Sequence, residues 1–165
     1  MEATAKQTPE FVIRQGNESH GGFIARHWVD SYRNSLPRPW VARMDEGVVK
    51  RFLHQTIEVI LKRAEVRVAG PPDDADTIYG FAIVERPNTI HFVYTRSTPN
   101  WRRMGIAKAL VKDFDIPTCT ITTWSPEVTG MSGWILSKYQ TFKYVPFYMR
   151  EGDDVRQRKA AARYG

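Results

Sequence analysis

The chain has 165 residues, 42% hydrophobic and 25% charged, which fits one globular domain and excludes a wholly disordered chain. No apolar run approaches the roughly 18 residues of a membrane span, and a single cysteine, Cys119, excludes an internal disulfide framework or a multi-cysteine metal site. Lys and Arg total 24 against 18 Asp and Glu, and the net charge of +6 favours anionic ligands, phosphorylated cofactors and nucleic acids alike.

Residues 1–9 are polar, end at Pro9 and read as a flexible leader. They lack the apolar core of a signal peptide, so the expected location is the cytoplasm. Glu10–Arg14 has the composition of a short strand, stopped by Gln15-Gly16-Asn17. Asn17 and Ser19 are candidate caps for a helix with the stripe Ile24, Trp28 and Tyr32, and Gly21 and Gly22 predict an irregular start. Pro37 and Pro39 end it. A stronger helix is predicted from about Asp45 to Ala64, with Val49, Phe52, Leu53, Ile57, Ile60 and Leu61 on its apolar face.

Three strands follow, at Glu65–Ala69, Thr77–Arg86 and Thr89–Arg96. The turn residues of 70–76 and Pro87-Asn88 join them as hairpins. Ile106, Ala107, Leu110, Val111 and Phe114 form one face of a helix beginning near Gly105. Cys119–Trp124 reads as a β-branched strand, and Met131, Trp134, Ile135 and Tyr139 as one face of a short helix. Lys143–Met149 reads as a final strand that Pro146 confines to an edge. The domain thus spans 10–150, followed by a charged tail over 151–165. A strand meander followed by a strand–helix–strand crossover specifies a mixed α/β sheet with helices on its faces.

The stretch richest in chemistry is Trp101-Arg102-Arg103-Met104-Gly105-Ile106-Ala107-Lys108, between a predicted strand and the first turn of a helix. Gly105 lets the backbone approach a ligand closely, and the N–H groups of a first helical turn attract an anion. Arg102 and Arg103 add charge, and a pyrophosphate suits the place. Arg102-Arg103-Met104-Gly105-Ile106-Ala107 resembles the acyl-CoA signature of the GCN5-related N-acetyltransferase family (Arg or Gln, two residues, Gly, one residue, Gly or Ala). The element order over residues 10–149 is also similar to that family's fold, a mixed, mostly antiparallel sheet of six to seven strands flanked by helices. Trp28–Leu36, His91-Phe92-Val93-Tyr94 and Tyr144-Val145-Pro146-Phe147 further resemble members found in tailed-phage genomes.

The resemblance implies that backbone amides from about Arg103 to Lys108 hold the CoA pyrophosphate. It also implies that Val93, Tyr94 and Thr95 pair with the pantetheine amides as a substitute strand. The loop from Arg96 to Arg102 is longer than the family norm, which leaves the pairing residues open. Acetyl transfer needs a neutral amine, a polarised thioester carbonyl and a proton for the departing thiolate. Tyr139, in Tyr139–Tyr144, matches the family tyrosine that often supplies this proton, although Lys143 replaces the usual glycine; the alternative role for Tyr139 is packing. Glu85 and His91 are candidate bases, each also readable as a structural strand residue, and Ser125 either touches the thioester region or caps the turn before Pro126.

Other features point elsewhere or nowhere. Cys119 reads as a buried small apolar residue. The four histidines, His20, His27, His54 and His91, show no metal spacing, and neither a kinase-type phosphate loop nor a serine-hydrolase elbow is present. Three functions stay open: transfer of acetyl from acetyl-CoA to a primary amine, a nucleic-acid-associated version of the scaffold, and a non-catalytic acyl-CoA-binding module. Trp40, Trp101 and the tail's Arg156-Gln157-Arg158-Lys159 motivate the second. Trp28, Tyr32, Arg33, Trp40 and Arg43 hint at an anionic or aromatic acceptor, and either a monomer or a homodimer is compatible with the sequence.

Overall fold

A computed structural model describes residues 10–35, 43–96, 104–123 and 143–144. Strand β1 (Val12–Gln15) leads through a 3₁₀ turn (Glu18–His20) into helix α1 (Gly21–Ser35). The expected irregular start is this turn. Asn17 Oδ1 accepts the Ser19 N–H at 3.0 Å, and the Asn17 N–H donates to His20 Nδ1 at 3.1 Å. These bonds satisfy donors that the two glycines after them are poorly suited to hold in a helix.

Helix α2 (Glu46–Leu61) is capped by Asp45, whose side chain accepts from the Val48 N–H at 2.8 Å. Glu46 pairs with Lys50 one turn on and with Arg33 of α1, at 2.8 and 3.1 Å. Leu53, Ile57 and Ile60 are buried as the periodicity predicts. Phe52, placed on the same face by the sequence, is instead 45% exposed. Each helical residue turns the chain by about 100°, so a stripe centred on Leu53, Ile57 and Ile60 leaves Phe52 on its flank.

The remaining elements are β2 (Glu65–Gly70), β3 (Gly80–Glu85), β4 (Thr89–Thr95), α3 (Ile106–Leu110), a 3₁₀ turn (Ile116–Thr118), β5 (Thr120–Ile121) and β6 (Lys143–Tyr144). The sheet runs β1-β2-β3-β4-β5-β6, antiparallel through β4 and parallel from β4 to β6, the mixed α/β arrangement expected. Lys143–Tyr144 ends the order of strands among the described residues, and the rest of the predicted final strand, with Pro146, lies outside them. The predicted leader, the helix around Met131–Tyr139 and the charged tail lie outside the described residues. No described helix is long and apolar enough to cross a membrane, and no metal-ligating cluster occurs among the described residues.

Every residue of β3 is buried, because layers cover both faces of the sheet. Phe81 and Ile83 face α1 and α2, packing with Ile24, Trp28 and Ile57. Ala82 and Val84 face α3, packing with Ile106, Leu110 and Ile121. Cys119 belongs to this second layer, where burial first and Asp115 next push its thiol up to about 11.

Among the described residues, β3 covers only Gly80–Glu85 of the predicted Thr77–Arg86, and two later elements are also shorter than the sequence predicts. The helix expected to carry Val111 and Phe114 ends at Leu110, because the Arg67 guanidinium takes the Leu110 carbonyl at 3.0 Å. The Phe114 N–H turns to the Val111 carbonyl instead. The strand expected over Cys119–Trp124 is reduced to Thr120–Ile121.

Arg67 is the centre of a charged clamp between β2 and the chain after α3. It bonds Glu65 at 2.7 Å and Asp113 through both terminal nitrogens, while Arg86 reaches the same Asp113 carboxylate at 2.6 Å. Both guanidinium groups lie over the Phe114 ring. Hydrogen bonding from Arg67 above all holds the Asp113 carboxyl well below its ordinary value. Folding therefore favours ionised Asp113. This contribution is present above the unfolded value of about 3.9 and fades as the pH falls toward the folded one. Urea unfolding followed from about pH 7 to about pH 3 is expected to show a steeper acid loss in the wild type than in Asp113→Asn, which starts less stable. Parallel pH curves would mean that the clamp contributes nothing.

Candidate functional site

The site begins with an irregularity in β4. Ile83 stands opposite Phe92, but the next residue, Val84, stands opposite Ile90, so β4 carries one extra residue, His91. This β-bulge breaks the two-residue alternation. Ile90 packs on the α3 side of the sheet and Phe92 on the α1–α2 side, whereas regular pleating would put both on one side.

The bulge also changes which backbone groups face β5. Before it, the Asn88 and Ile90 carbonyls accept from the Thr120 and Thr122 N–H groups at 2.9 and 3.2 Å. After it, the Arg96 N–H points to β3 and donates to the Tyr79 carbonyl at 2.9 Å. Alternation back from Arg96 puts Tyr94 and Phe92 on the β3 side and turns the Val93 and Thr95 peptide groups toward β5. The β4–β5 ladder covers only Thr89–Ile90 against Thr120–Ile121. Val93 and Thr95 thus present a strand edge with no ladder partner among the described residues.

The start of α3 stands beside this edge. Gly105 adopts φ 76° and ψ 12°, the left-handed region that glycine enters without strain, and a β-carbon there would point into open space. Gly80, opposite Thr95 in β3, brings helix and sheet together: a β-carbon on it would sit 2.6 Å from the Tyr94 carbonyl oxygen and 3.0 Å from Ile106 Cγ2. Ile106 is buried, Met104 and Ala107 half-buried, and Lys108 exposed. Arg102 and Arg103 lie outside the described residues.

Below the free edge lies a buried polar chain. His91, 0% exposed, has Nε2 at 3.1 Å from Glu85 Oε2 and Nδ1 at 3.1 Å from Thr122 Oγ1. Arg63 Nε donates to the same Glu85 oxygen at 2.8 Å. Burial acts to raise the Glu85 carboxyl, but the hydrogen bonds from Arg63 and His91 outweigh it and leave the group below its ordinary value. Helix α1 closes the chain from above. Trp28 Nε1 donates to Thr123 Oγ1, and the Tyr32 hydroxyl to the Thr122 carbonyl, both at 2.9 Å.

On the α1 face, the Tyr94 ring stacks on His27 with centroids 4.4 Å apart, and Arg96 lies over Phe23. Burial lowers the His27 imidazole and raises the Tyr94 phenol from their ordinary values. A cleft of about 290 Å³ opens beside Phe23 and Arg96, with Asp76 and Ser19 on its rim.

Glu85 and His91, separate candidates in the sequence, are thus one hydrogen-bonded unit, and Val93, Tyr94 and Thr95 form the end of β4 beside Gly105. Tyr139 and Ser125 lie outside the described residues. Trp28 and Tyr32, read from the sequence as acceptor-facing, are buried to within 4% of full enclosure and bonded to the end of β5. Arg33 pairs with Glu46. Arg63, Thr122 and Thr123 escaped the sequence reading. The cue for the two threonines was a pair of hydroxyls at the end of a strand predicted to be buried, where polar groups need partners.

The sequence matches no protein-family model and no curated protein. Solved structures similar to it include a GCN5-related N-acetyltransferase, also described as a class II aminotransferase, from Rhodopseudomonas palustris. That match has 15% identity and a TM-score of 0.39, and covers 64% of this chain and 62% of the other. This chain therefore spans less than two thirds of that protein. A second is a ribosomal-protein-alanine N-acetyltransferase from Brucella melitensis biovar Abortus 2308, at 14% identity, 93% and 88% coverage and TM-score 0.38. A third is the aminoglycoside N-acetyltransferase AAC(6')-Iy in complex with CoA, at 18%, 86% and 95%, and 0.42. At such identities and TM-scores these likenesses carry no statement about this chain's substrate.

Gly80→Ala tests the close approach that sets the site. The added methyl group meets a backbone oxygen that cannot rotate away, so a loss of roughly 1–3 kcal/mol is expected in urea unfolding, as for overpacked cores. Wild-type stability in this variant would show that β3, β4 and α3 separate freely.

Proposed function

We propose that the protein is an acyl-CoA-dependent N-acyltransferase that moves an acetyl group from acetyl-CoA to a primary amine. The observation that carries this reading is the β4 edge at Val93 and Thr95, which has no ladder partner among the described residues and ends beside the left-handed turn at Gly105. A strand edge offers alternating N–H and C=O groups. The pantetheine arm, with its two amides, pairs with such an edge as a peptide would. The backbone from Arg103 to Lys108 then receives the pyrophosphate, with Arg102 as its cationic neighbour. The five-residue α3 adds little dipole of its own, so the amide cradle around Gly105 and the two arginines supply most of the attraction.

The amine attacks the thioester carbonyl, a C–N bond forms, the C–S bond breaks, and the thiolate takes a proton. In this reading Tyr139 provides that proton. The resemblance of Arg102–Ala107 to the acyl-CoA signature supports the donor. The acceptor stays at the level of a primary amine.

Gly105→Glu and Gly105→Asn separate the cofactor role of this turn from its conformational one. Both side chains project into the space left for phosphate, but asparagine tolerates the left-handed region and carries no charge. Isothermal calorimetry is expected to show loss of CoA binding in the folded Gly105→Glu variant and a smaller loss in Gly105→Asn. Unchanged CoA affinity in Gly105→Glu would overturn the assignment. For the chemistry, Tyr139→Phe is expected to lower turnover by about 10²–10⁴-fold, at nearly constant acetyl-CoA affinity, on the first amine found active in a panel of polyamines, aminoglycosides, peptides and nucleobases. Near-wild-type turnover would remove Tyr139 from the mechanism.

A further inference from the structure

The buried chain Glu85–His91–Thr122 has a property that none of its members has alone. The Glu85 carboxylate can only accept, so His91 Nε2 carries a hydrogen and donates to it. On the other side of the ring, Nδ1 faces Thr122 Oγ1 at 3.1 Å, and this hydroxyl also stands 3.3 Å from the His91 carbonyl oxygen. With the imidazole neutral, the hydroxyl donates to Nδ1. With the imidazole protonated, Nδ1–H donates to the hydroxyl oxygen, and the hydroxyl hydrogen turns to the His91 carbonyl. Each state keeps both ring nitrogens and the hydroxyl partnered, and the hydroxyl changes roles by rotation about a single C–O bond.

From this we infer that Thr122 is a positioning residue, a hydroxyl rotor that keeps both ring nitrogens of His91 partnered as the imidazole takes up and gives back a proton. Glu85–His91–Thr122 is thereby a buried proton-holding unit beside the β4 bulge. The rotor is well placed for it. Among the described residues, the Thr122 N–H makes the last backbone bond from the end of β5 to β4, at the Ile90 carbonyl. Its backbone is fixed independently of the hydroxyl, since Tyr32 donates to its carbonyl. The described charged and titratable groups facing the unit are Glu85 from β3, Arg63 from the turn after α2 and Tyr32 from α1. Arg63 holds Glu85 ionised, so the carboxylate stays an acceptor in both states.

The link to chemistry rests on the acyltransferase reading. An acceptor ammonium must lose a proton before its nitrogen attacks. In that reading the proton is held at His91 Nδ1, and Thr122 Oγ1 turns from donor to acceptor as it arrives. The C–N bond then forms and the C–S bond breaks, and the sulfur takes its proton separately.

The test reads the imidazole directly and needs no acceptor. In protein labelled with ¹⁵N-histidine, the His91 signals are assigned by their loss in His91→Gln and followed against pH in wild type, Thr122→Val and Thr122→Ser. Valine keeps the shape and removes the rotor, leaving the charged Nδ1–H without its acceptor. The His91 midpoint in Thr122→Val is expected to fall by roughly one to two pH units, the equivalent of one hydrogen bond to a charged group, while Thr122→Ser stays near wild type. Equal midpoints in wild type and Thr122→Val would overturn the rotor, as would a serine variant that behaves like valine. Saturating CoA is expected to move the His91 midpoint in the wild type and to move it less in Thr122→Val. CoA that binds by calorimetry yet leaves His91 unmoved overturns the unit's link to the chemistry. CoA that fails to bind overturns the acyltransferase reading and leaves the rotor result standing.

Discussion

One extra residue in β4 governs most of what is distinctive in this molecule. A regular strand would keep Ile90 and Phe92 on one face and carry one alternation of backbone groups along the whole edge. With His91 inserted, the faces exchange at Phe92, and the Val93 and Thr95 peptide groups turn to the side where β5 has already ended. Among the described residues, the Val93 and Thr95 peptide groups have no ladder partner.

The bulge is paired with a polar filling. A bulged residue carries its side chain where the local pleat would not, and His91 enters the layer between the sheet and α1. A buried imidazole there needs two partners, and Glu85 and Thr122 supply them. A buried carboxylate needs cationic company in turn, and Arg63 provides it. The same layer holds Trp28 and Tyr32, whose polar tips fasten α1 to Thr123 and Thr122. The aromatic bulk and the hydrogen bonds of α1 therefore act together on the point where the strands part.

On the other face, the position of α3 depends on one absence and one clamp. Gly80 has no β-carbon, so Ile106 settles against the sheet. Arg67 then holds the Leu110 carbonyl and Asp113, ending the helix after five residues and anchoring it to β2. Together they fix the Gly105 turn at the end of β4.

The amino-acid sequence by itself determined the order of strands and helices through residue 121, the burial of Ile24, Trp28, Tyr32, Leu53 and Ile57, and the special place of Gly105. These are local matters of period, capping and turn chemistry, read within a few residues. It named Glu85 and His91 but not their union, because they are partners across a hairpin whose register depends on the bulge. It read Trp28 and Tyr32 both as an apolar stripe and as acceptor-side aromatics, since an aromatic stripe looks the same whether its polar tips meet a ligand or a strand end. Only the tertiary structure decided the bulge, the free edge, the early end of α3 and the Thr122 hydroxyl's position against His91. The last two are settled by contacts between residues 43 and 31 positions apart in the chain, and no local pattern encodes which of two faces a buried polar side chain must take to find its partner.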